Sequence, residues 1–284
     1  MQEFIAKAKK SLEYIYSLNE INAITNILLE HIGISKISRF ANPMTRLDSE
    51  QTAWLDASLD KLIKHTPIQH IIGYVDFYGT KISVNKHTLI PRPETEELVD
   101  IIVKKFKHSD TLNVLDLCTG SGCIAIALAK SLAKSTVDAV DISDQAIIMA
   151  KKNAAQNKVD LAFKTIDLLK ASTVDFAEKK YDIIVSNPPY IPNKNRDFID
   201  KNVMLHEPEV ALFVPDTTPI IFYEKISLLA DELLKDNGFL FFETHEDYTE
   251  QVANYVDKHT RLSSKILKDL FGKNRFTISS TCQP

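Results

Sequence analysis

The chain has 284 residues, of which 44% are hydrophobic and 25% are charged, and its formal net charge is −4. This composition is typical of a globular protein with a buried core and excludes disordered, collagen-like and low-complexity chains. The length predicts about two domains. Charges interrupt the first ten residues and no apolar run reaches the roughly 18 residues of a membrane span, so we expect a cytoplasmic protein without a membrane segment.

Three cysteines, Cys118, Cys123 and Cys282, are too few for a disulfide framework or a four-cysteine zinc site, so we expect free thiols. The histidines are scattered without the spacing of a metal pair, and we predict no metal. The negative net charge argues against a surface that binds a nucleic-acid backbone, and we predict no stable nucleic-acid partner.

The N-terminal quarter of the chain carries the apolar spacing of helices. Two stripes predict two helices, the second of which ends at Gly33. Their residues are Phe4, Ala8, Leu12 and Ile15, followed by Ile21, Ile24, Leu28 and Ile32. A third helix is predicted to begin at Asp48 or Ser49 and to end before Pro67, because the residue before a proline avoids the α region. Its predicted buried face consists of Leu55, Leu59, Leu62 and Ile63.

The rest of the chain has the pattern of strands and helices. Residues 74–84 predict a hairpin with Gly79 and Thr80 in its turn. From Asn113 onward, apolar strands alternate with helices, which predicts an α/β domain with a parallel sheet covered on both faces. These strands are predicted at residues 112–117, 137–141, 161–166, 181–186 and 238–243. Residues 264–267 and 275–280 predict an antiparallel pair that closes the sheet.

A glycine-containing turn joins the first of these strands to a helix. Residues 114–125 read VLDLCTGSGCIA, and the glycines Gly120 and Gly122 allow the backbone to approach a ligand closely. The N-terminus of the following helix offers unpaired N–H groups to an anionic group. Asp141 ends the next strand, where a carboxylate can accept both hydroxyls of a ribose. The pattern therefore predicts a site for a cofactor that contains a nucleoside.

The same glycines fit the dinucleotide pattern G-x-G-x-x-G/A, so a dinucleotide-dependent oxidoreductase is an alternative from a different class. Asp116 argues against a pyrophosphate, because a carboxylate beside two phosphate charges costs electrostatic energy. S-adenosylmethionine fits better, because Asp116 can face its sulfonium and ammonium charges while Asp141 binds its ribose. The expected product is S-adenosylhomocysteine.

A second motif follows the strand at residues 181–186 and consists of Asn187, Pro188, Pro189 and Tyr190. The prolines fix φ and hold Asn187 rigidly at the carboxyl edge of the sheet, where ligands bind in open α/β folds. If the Asn187 side-chain oxygen and the Pro188 carbonyl each accept one proton of a planar NH2 group, the nitrogen lone pair faces a methyl donor. Tyr190 can stack on that planar group. The motif predicts methylation of a planar NH2 by positioning rather than by a strong general base.

These residues resemble the class I S-adenosylmethionine-dependent methyltransferases that act on adenine, cytosine or glutamine. Further segments resemble the peptide chain release factor N5-glutamine methyltransferases, the HemK/PrmC family, over nearly the whole chain from about Glu20. They are residues 67–69 with Gly73, residues 77–79, residues 89–98, Glu207 and Pro208 with Ala211 and Leu212, residues 237–240 with Glu243, and Gly272 with Arg275. The resemblance implies a Rossmann-like seven-stranded sheet and a substrate glutamine in the Gly-Gly-Gln motif of class 1 release factors.

Carried over residue by residue, the resemblance implies a cofactor loop over Cys118, Thr119, Gly120, Ser121 and Gly122 and a ribose carboxylate at Asp141. It places Asp167 and Leu168 beside the adenine and the substrate clamp at Asn187, Pro188, Pro189 and Tyr190, with Asn187 also next to the cofactor. Three positions depart from the family pattern. Cys118 stands at the loop's first glycine, Leu168 replaces an aromatic residue, and His245 stands where a glycine often follows Glu243.

The resemblance also implies the division of the chain into domains. Residues 1–73 are expected to form a helical substrate-recognition domain, residues 74–90 a β-hairpin connector, and residues 91–284 the S-adenosylmethionine-binding domain. Arg92 is expected to act as a hydrogen-bonding strut more readily than as a substrate contact. The expected partner is a class 1 release factor, and the expected state is a monomer. A ribosomal-protein glutamine methyltransferase and a nucleic-acid adenine N6-methyltransferase stay open as alternatives.

Overall fold

The structure is a computed structural model that describes residues 1–132 and 134–281. They form two compact units. One unit contains residues 1–73 and 200–206, and the other contains residues 74–199 and the chain from Glu207 onward. Cys118 and Cys123 are free thiols, as predicted. Cys282, for which the same prediction was made, lies outside the described residues.

The helices and strands follow each other in the order expected of an α/β protein with an N-terminal helical segment. The helices are α1 (Gln2–Leu12), α2 (Leu18–His31), α3 (Lys36–Ala41), α4 (Ser49–Ile63), α5 (Ile68–Ile72), α6 (Pro93–Phe106), α7 (Cys123–Ser131), α8 (Asp144–Asn157), α9 (Lys201–His206), α10 (Ile221–Leu233) and α11 (Thr249–His259). The strands are β1 (Tyr74–Phe77), β2 (Thr80–Ser83), β3 (Asn113–Leu117), β4 (Thr136–Asp141), β5 (Ala162–Thr165), β6 (Tyr181–Ser186), β7 (Ile191–Pro192), β8 (Phe213–Val214), β9 (Leu234–Glu243), β10 (Ser263–Lys268) and β11 (Asn274–Ser280). Each helix in residues 1–132 and 134–281 is too short or too polar to cross a membrane.

The N-terminal helices begin and pack as their sequence dictates. Asp48 caps α4 by accepting the Gln51 backbone N–H at 2.7 Å, and the Gln51 side chain accepts the Asp48 N–H at 3.1 Å. The predicted burial of Ile63 is wrong, because 43% of this residue is exposed. Ile63 follows Leu62 directly, so its side chain points about 100° away from the buried stripe of the helix.

The hairpin turn lies one residue before its predicted position. Phe77 pairs with Thr80, which leaves Tyr78 and Gly79 as the two turn residues. Both have positive φ, 43° for Tyr78 and 70° for Gly79. This is a feature of the type I′ turn, whose twist matches that of the flanking strands.

The main sheet has seven strands in the order β10-β11-β9-β6-β3-β4-β5. The run from β9 to β5 is parallel, and β11 and β10 are antiparallel, which confirms the closing pair predicted from the sequence. The expectation of burial on both faces is wrong for β5, because this strand lies at the sheet edge and most of its residues are exposed. β9 begins at Leu234, four residues before the predicted start.

The order of the strands in the sheet determines where a ligand crevice is expected. β3 lies between β6 and β4, so successive connections leave β3 toward opposite sides of the sheet. Ligands bind in open α/β sheets at such a switch point, outside the carboxyl ends of the strands. Two apolar clusters occupy the two faces of the sheet, one containing Val114 and Phe241 and the other Leu115 and Phe242. They hold the carboxyl ends of β3, β4, β6 and β9 at one edge.

Close packing at Gly122 gives a test of this arrangement. A Cβ at Gly122 would lie 3.1 Å from the Ala150 Cβ and 3.2 Å from the Ile126 Cδ1, whereas a Cβ at Gly272 would meet nothing within 4 Å. Both glycines have φ +82°. Gly122→Ala and Gly272→Ala should therefore share a left-handed backbone cost of about 1–2 kcal/mol, and only Gly122→Ala should add an overpacking cost of about 1–3 kcal/mol. Equal losses in the free energy of unfolding, measured in urea, would contradict the close packing.

Candidate active site

The loop between β3 and α7 has a backbone that favours glycine at three positions. Its φ angles are +61° at Cys118, +55° at Gly120 and +82° at Gly122. Cys118, which stands where the family pattern has glycine, therefore adopts a left-handed conformation that glycine adopts without cost. The loop is closed by a backbone hydrogen bond of 2.9 Å from the Thr119 N–H to the Val140 carbonyl of β4.

Asp116 lies beneath this loop and not on the surface of the crevice. It is 0% exposed, and its Oδ2 accepts hydrogen bonds from the Thr119 hydroxyl at 2.6 Å and from the Ala125 N–H at 3.2 Å. Burial raises the pKa of this carboxyl to about 7, with Asp141 adding a smaller effect. One oxygen of the carboxylate thus holds the loop on the sheet, and the predicted contact between Asp116 and a cationic ligand stays a prediction.

Asp141 ends β4 at the crevice and binds the loop from its other side. Its Oδ2 accepts the Gly120 N–H at 2.8 Å and its Oδ1 accepts the Ser143 N–H at 2.9 Å. Burial raises the pKa of Asp141, and the backbone hydrogen bonds oppose this effect. Each carboxylate oxygen has a further lone pair, so Asp141 can still accept hydrogen bonds from a ligand.

A cavity lies above these groups and encloses about 970 Å³ of empty space, part of it open to solvent. The sequence-predicted site residues on its wall are Cys118, Thr119, Gly120, Ser121, Asp141, Asp167, Leu168, Asn187 and Pro189. Sequence reasoning did not assign the apolar part of the wall, which includes Leu89, Ile142, Ala146, Ile166, Val210 and Phe222. The predicted residues that do not line it are Asp116, Gly122, Pro188 and Tyr190.

Asp167 and Leu168 follow β5 at the far side of the cavity. The Asp167 carboxylate accepts the Leu169 N–H at 3.2 Å and pairs with Lys170 at 2.7 Å, and the hydrogen bond from Lys170 lowers its pKa. Leu168 is 4% exposed and contributes an aliphatic surface where the family pattern has an aromatic ring. This part of the wall is therefore apolar with one ionised carboxylate beside it.

The Asn187 side chain is held at the end of β6 by groups from two other elements. Its Nδ2 donates to the Thr95 Oγ1 at 3.2 Å, and the Thr95 hydroxyl donates to the Glu243 Oε2 at 2.7 Å. Thr95 lies in the first turn of α6 and Glu243 ends β9. Thr95 is 3% exposed and Glu243 is 2% exposed, so the network is shielded from water.

Burial raises the pKa of Glu243 to about 7, opposed by hydrogen bonds from Thr95 and Asn187 and by the charge of Arg275. Neither Glu243 nor Thr95 was predicted from the sequence to belong to the site. A carboxylate at the end of a buried apolar strand was a signal for Glu243, because charged residues are seldom buried without a partner. No comparable signal marks Thr95, since it lies 92 residues before Asn187.

Tyr190 is partly buried and packs against the apolar cluster that contains Leu117 and Phe242. Its ring is edge-on to that of His245, with the centroids 5.8 Å apart. Burial raises the pKa of the Tyr190 phenol far above its ordinary value and lowers the pKa of His245, so both rings are neutral near pH 7. The departure at His245 thus supplies an aromatic neighbour to Tyr190 that a glycine cannot provide.

Arg92 acts as the expected strut. Its guanidinium pairs with the Glu207 carboxylate at 2.5 Å, and the same carboxylate accepts the Ile90 N–H at 3.0 Å. The Glu207 side chain is only 1% exposed. This contact joins two segments of the cavity wall, the one that contains Leu89 and Pro91 and the one that contains Pro208 and Val210.

The chemistry of the site is that of positioning. Burial raises the pKa of the Cys123 thiol to about 12 and that of Cys118 well above its ordinary value, so neither is a thiolate nucleophile at neutral pH. Within residues 1–132 and 134–281, no three His, Cys, Asp or Glu side chains are grouped to hold a metal ion. What the cavity offers is a carboxylate for hydroxyl groups, a glycine loop and a fixed amide.

Comparison with known proteins also indicates a methyltransferase. Residues 95–212 match the Methyltransferase small domain family, and residues 3–73 match the PrmC N-terminal domain family. A release factor glutamine methyltransferase of Flavobacterium psychrophilum is 39% identical and covers 94% of both chains. One of Bacteroides thetaiotaomicron is 37% identical and covers 97% of this chain and 98% of its own.

A solved structure shares the fold at low identity. A methyltransferase from Pyrococcus furiosus superposes with a TM-score of 0.51 at 17% identity and covers 82% of this chain and 98% of that one. The identity of the curated relatives, maintained over almost the whole of both chains, decides the family. The chain belongs to the release factor glutamine methyltransferase family.

Proposed function

We propose that this protein transfers a methyl group from S-adenosylmethionine to the side-chain amide nitrogen of the glutamine in the Gly-Gly-Gln motif of class 1 peptide chain release factors. The observation that carries the proposal is the fixed Asn187 amide in the wall of the cavity that the glycine loop and Asp141 also line. The naming of relatives at 39% and 37% identity supports a release factor over a ribosomal protein as substrate. The net charge of −4 argues against a nucleic-acid substrate.

The cavity residues fit S-adenosylmethionine by their chemistry. Asp141 would accept the ribose hydroxyls, and the N-terminal N–H groups of α7 would face the methionine carboxylate. Asp167 and Leu168 would lie against the adenine. When bound, this cofactor supplies an electrophilic methyl group on a positively charged sulfur. Asp116 contributes through its hydrogen bonds, which hold the loop that carries these groups.

The residues of the clamp bind and orient the substrate amide. The Asn187 Oδ1 and the Pro188 carbonyl each accept one proton of the glutamine NH2, which fixes the direction of its nitrogen lone pair. Tyr190 packs against the planar amide as a neutral ring, since burial raises the pKa of its phenol. No general base is required, because an N-alkylated amide cation is acidic enough to lose its proton to water.

The division of labour along the chain is part of the proposal. Residues 1–73 would recognise the release factor, and residues 91–284 would bind the cofactor and catalyse methyl transfer. Residues 74–90 would connect these two parts. A release factor substrate would place the reaction in the cytoplasm, and a monomer would be sufficient for it.

Methyl transfer to purified proteins tests the function directly. With tritium-labelled S-adenosylmethionine, the protein should label a class 1 release factor and should not label the same release factor in which the Gly-Gly-Gln glutamine is changed to alanine. Labelling of a ribosomal protein or of DNA in place of the release factor would overturn the substrate assignment.

Asp141→Ala should weaken S-adenosylmethionine binding by about 10-fold or more, because the ribose loses a charged acceptor worth about 1.5–3 kcal/mol. Asp144→Ala is a matched control, because this carboxylate lies three residues further along, binds the Thr165 hydroxyl and does not line the cavity. Calorimetry should find its affinity near that of the wild type. Unchanged affinity in Asp141→Ala would remove Asp141 from the cofactor site.

Asn187→Ala should lower turnover far more than cofactor affinity, because the loop and Asp141 provide most of the cofactor contacts. The loss of one preorganised polar contact in a shielded site lowers turnover by roughly 10²- to 10³-fold, by analogy with oxyanion-hole deletions. Asn193→Ala is the control, since this nearby asparagine bonds the Val214 carbonyl away from the cavity. Near-wild-type turnover in Asn187→Ala would rule out the amide clamp.

A further inference from the structure

We propose that Glu243 and Thr95 are positioning residues that together determine which end of the Asn187 amide faces the reacting nitrogen. The inference rests on the proposed function, in which Asn187 accepts a proton of the substrate amide. It concerns two residues that make no contact with the reacting atoms in that mechanism, and it assigns them a role in turnover.

The topology of the sheet brings the three residues together. β6 and β9 are parallel neighbours, and Ser186 pairs with Phe242, so Asn187 and Glu243 leave the sheet side by side. Thr95 enters from the first turn of α6 and lies between them. Thr95 and Asn187 line the cavity, whereas Glu243 does not. The Glu243 carboxylate therefore lies behind the cavity wall, where it accepts hydrogen bonds from both Thr95 and Asn187.

Counting protons fixes the direction of each hydrogen bond. An ionised carboxylate only accepts, so the single hydroxyl proton of Thr95 goes to the Glu243 Oε2, 2.7 Å away. The Thr95 oxygen can then only accept from Asn187, and the group 3.2 Å away must be the NH2 end of the amide. The amide oxygen lies on the opposite side of the same planar group. The buried charge thus assigns the orientation of an amide whose two ends are otherwise similar in shape.

The orientation matters for the chemistry. With its oxygen presented, Asn187 accepts a proton of the substrate NH2. If the amide turned over, two N–H donors would face the two N–H donors of the substrate, and the lone pair would lose its fixed direction. Removal of the Thr95 hydroxyl or of the Glu243 charge should therefore lower turnover without removing a contact to the cofactor.

Protonation of Glu243 would have the same effect as removal of its charge, because a protonated carboxyl can donate to Thr95 and allow its hydroxyl to turn toward Asn187. Burial raises the pKa of Glu243 to about 7. The groups around it that are charged, titratable or hydrogen-bonding are Thr95 and Glu94 from α6, Cys123 from α7, Asn187 and Tyr190 after β6, Tyr223 from α10, and Arg275 from β11. Turnover of the wild type should therefore fall as the pH drops through the pKa of Glu243, and this fall should be absent from Glu243→Gln.

The experiment compares four variants with the wild type, using a class 1 release factor as substrate. Thr95→Val and Glu243→Gln should lower kcat by roughly 10- to 100-fold, with the Kd for S-adenosylmethionine within about 2-fold of the wild type. Thr95→Ser keeps the hydroxyl and should retain at least about a third of kcat. Thr277→Val is the matched control, because Thr277 is 0% exposed, lies on neighbouring β11, and its hydroxyl has no partner among the described residues.

Wild-type kcat in folded Thr95→Val, or an equal loss in Thr277→Val, would overturn the proposal. If Thr95→Val does not fold, Glu243→Gln decides. Wild-type kcat in folded Glu243→Gln would overturn the proposal, whereas a fall of wild-type kcat at low pH that is absent from Glu243→Gln supports it. Failure of the proposed function has a different signature, because the wild-type protein itself would then transfer no methyl group to the release factor.

Discussion

Two buried carboxylates hold the functional edge of the sheet in place. Asp116 lies beneath the glycine loop and Glu243 lies behind the clamp, and each accepts a hydrogen bond from a threonine hydroxyl, 2.6 Å from Thr119 and 2.7 Å from Thr95. Parallel strands end abruptly at this edge, and the loops that follow contain prolines or left-handed residues that cannot continue the ladder. The carboxylates provide from below the hydrogen bonds that the ladder no longer supplies.

This support has a cost in stability that depends on pH. Burial raises the pKa of both carboxyls to about 7, so between about pH 4 and pH 7 these two groups bind more protons in the folded protein than in the unfolded chain. Their contribution to the free energy of unfolding therefore falls as the pH rises through this range, and the full cost of the two buried charges is present above pH 7. Because the charged form orients the threonine and asparagine donors, the two carboxylates organise the site in the same ionisation state in which they lower the stability of the fold.

The sequence predicted the parts of the site that are local in the chain. The strand that ends at Ser186 and the two prolines after it were enough to place Asn187 at the sheet edge. The position of Asp141 at the end of the strand that follows the glycine loop was enough to place Asp141 at the same edge. The burial of Asp116 was not predicted, because a carboxylate in a motif cannot be seen to be 0% exposed before the fold is known. Thr95 was missed for a related reason, since its contact to Asn187 depends on how α6 packs near the end of β6.

The order of the strands explains how one edge can serve a cofactor and a substrate at once. β3 lies between β4 and β6, so the glycine loop has Asp141 on one side and Asn187 on the other. Adjacent strands are about 4.8 Å apart, which brings the end of β6 close to the loop. The Ser186 hydroxyl fixes this separation by donating to the Leu117 carbonyl at 2.6 Å. Methyl transfer requires a donor and an acceptor within a few ångströms in a fixed direction, and two neighbouring parallel strands provide that separation through the backbone itself.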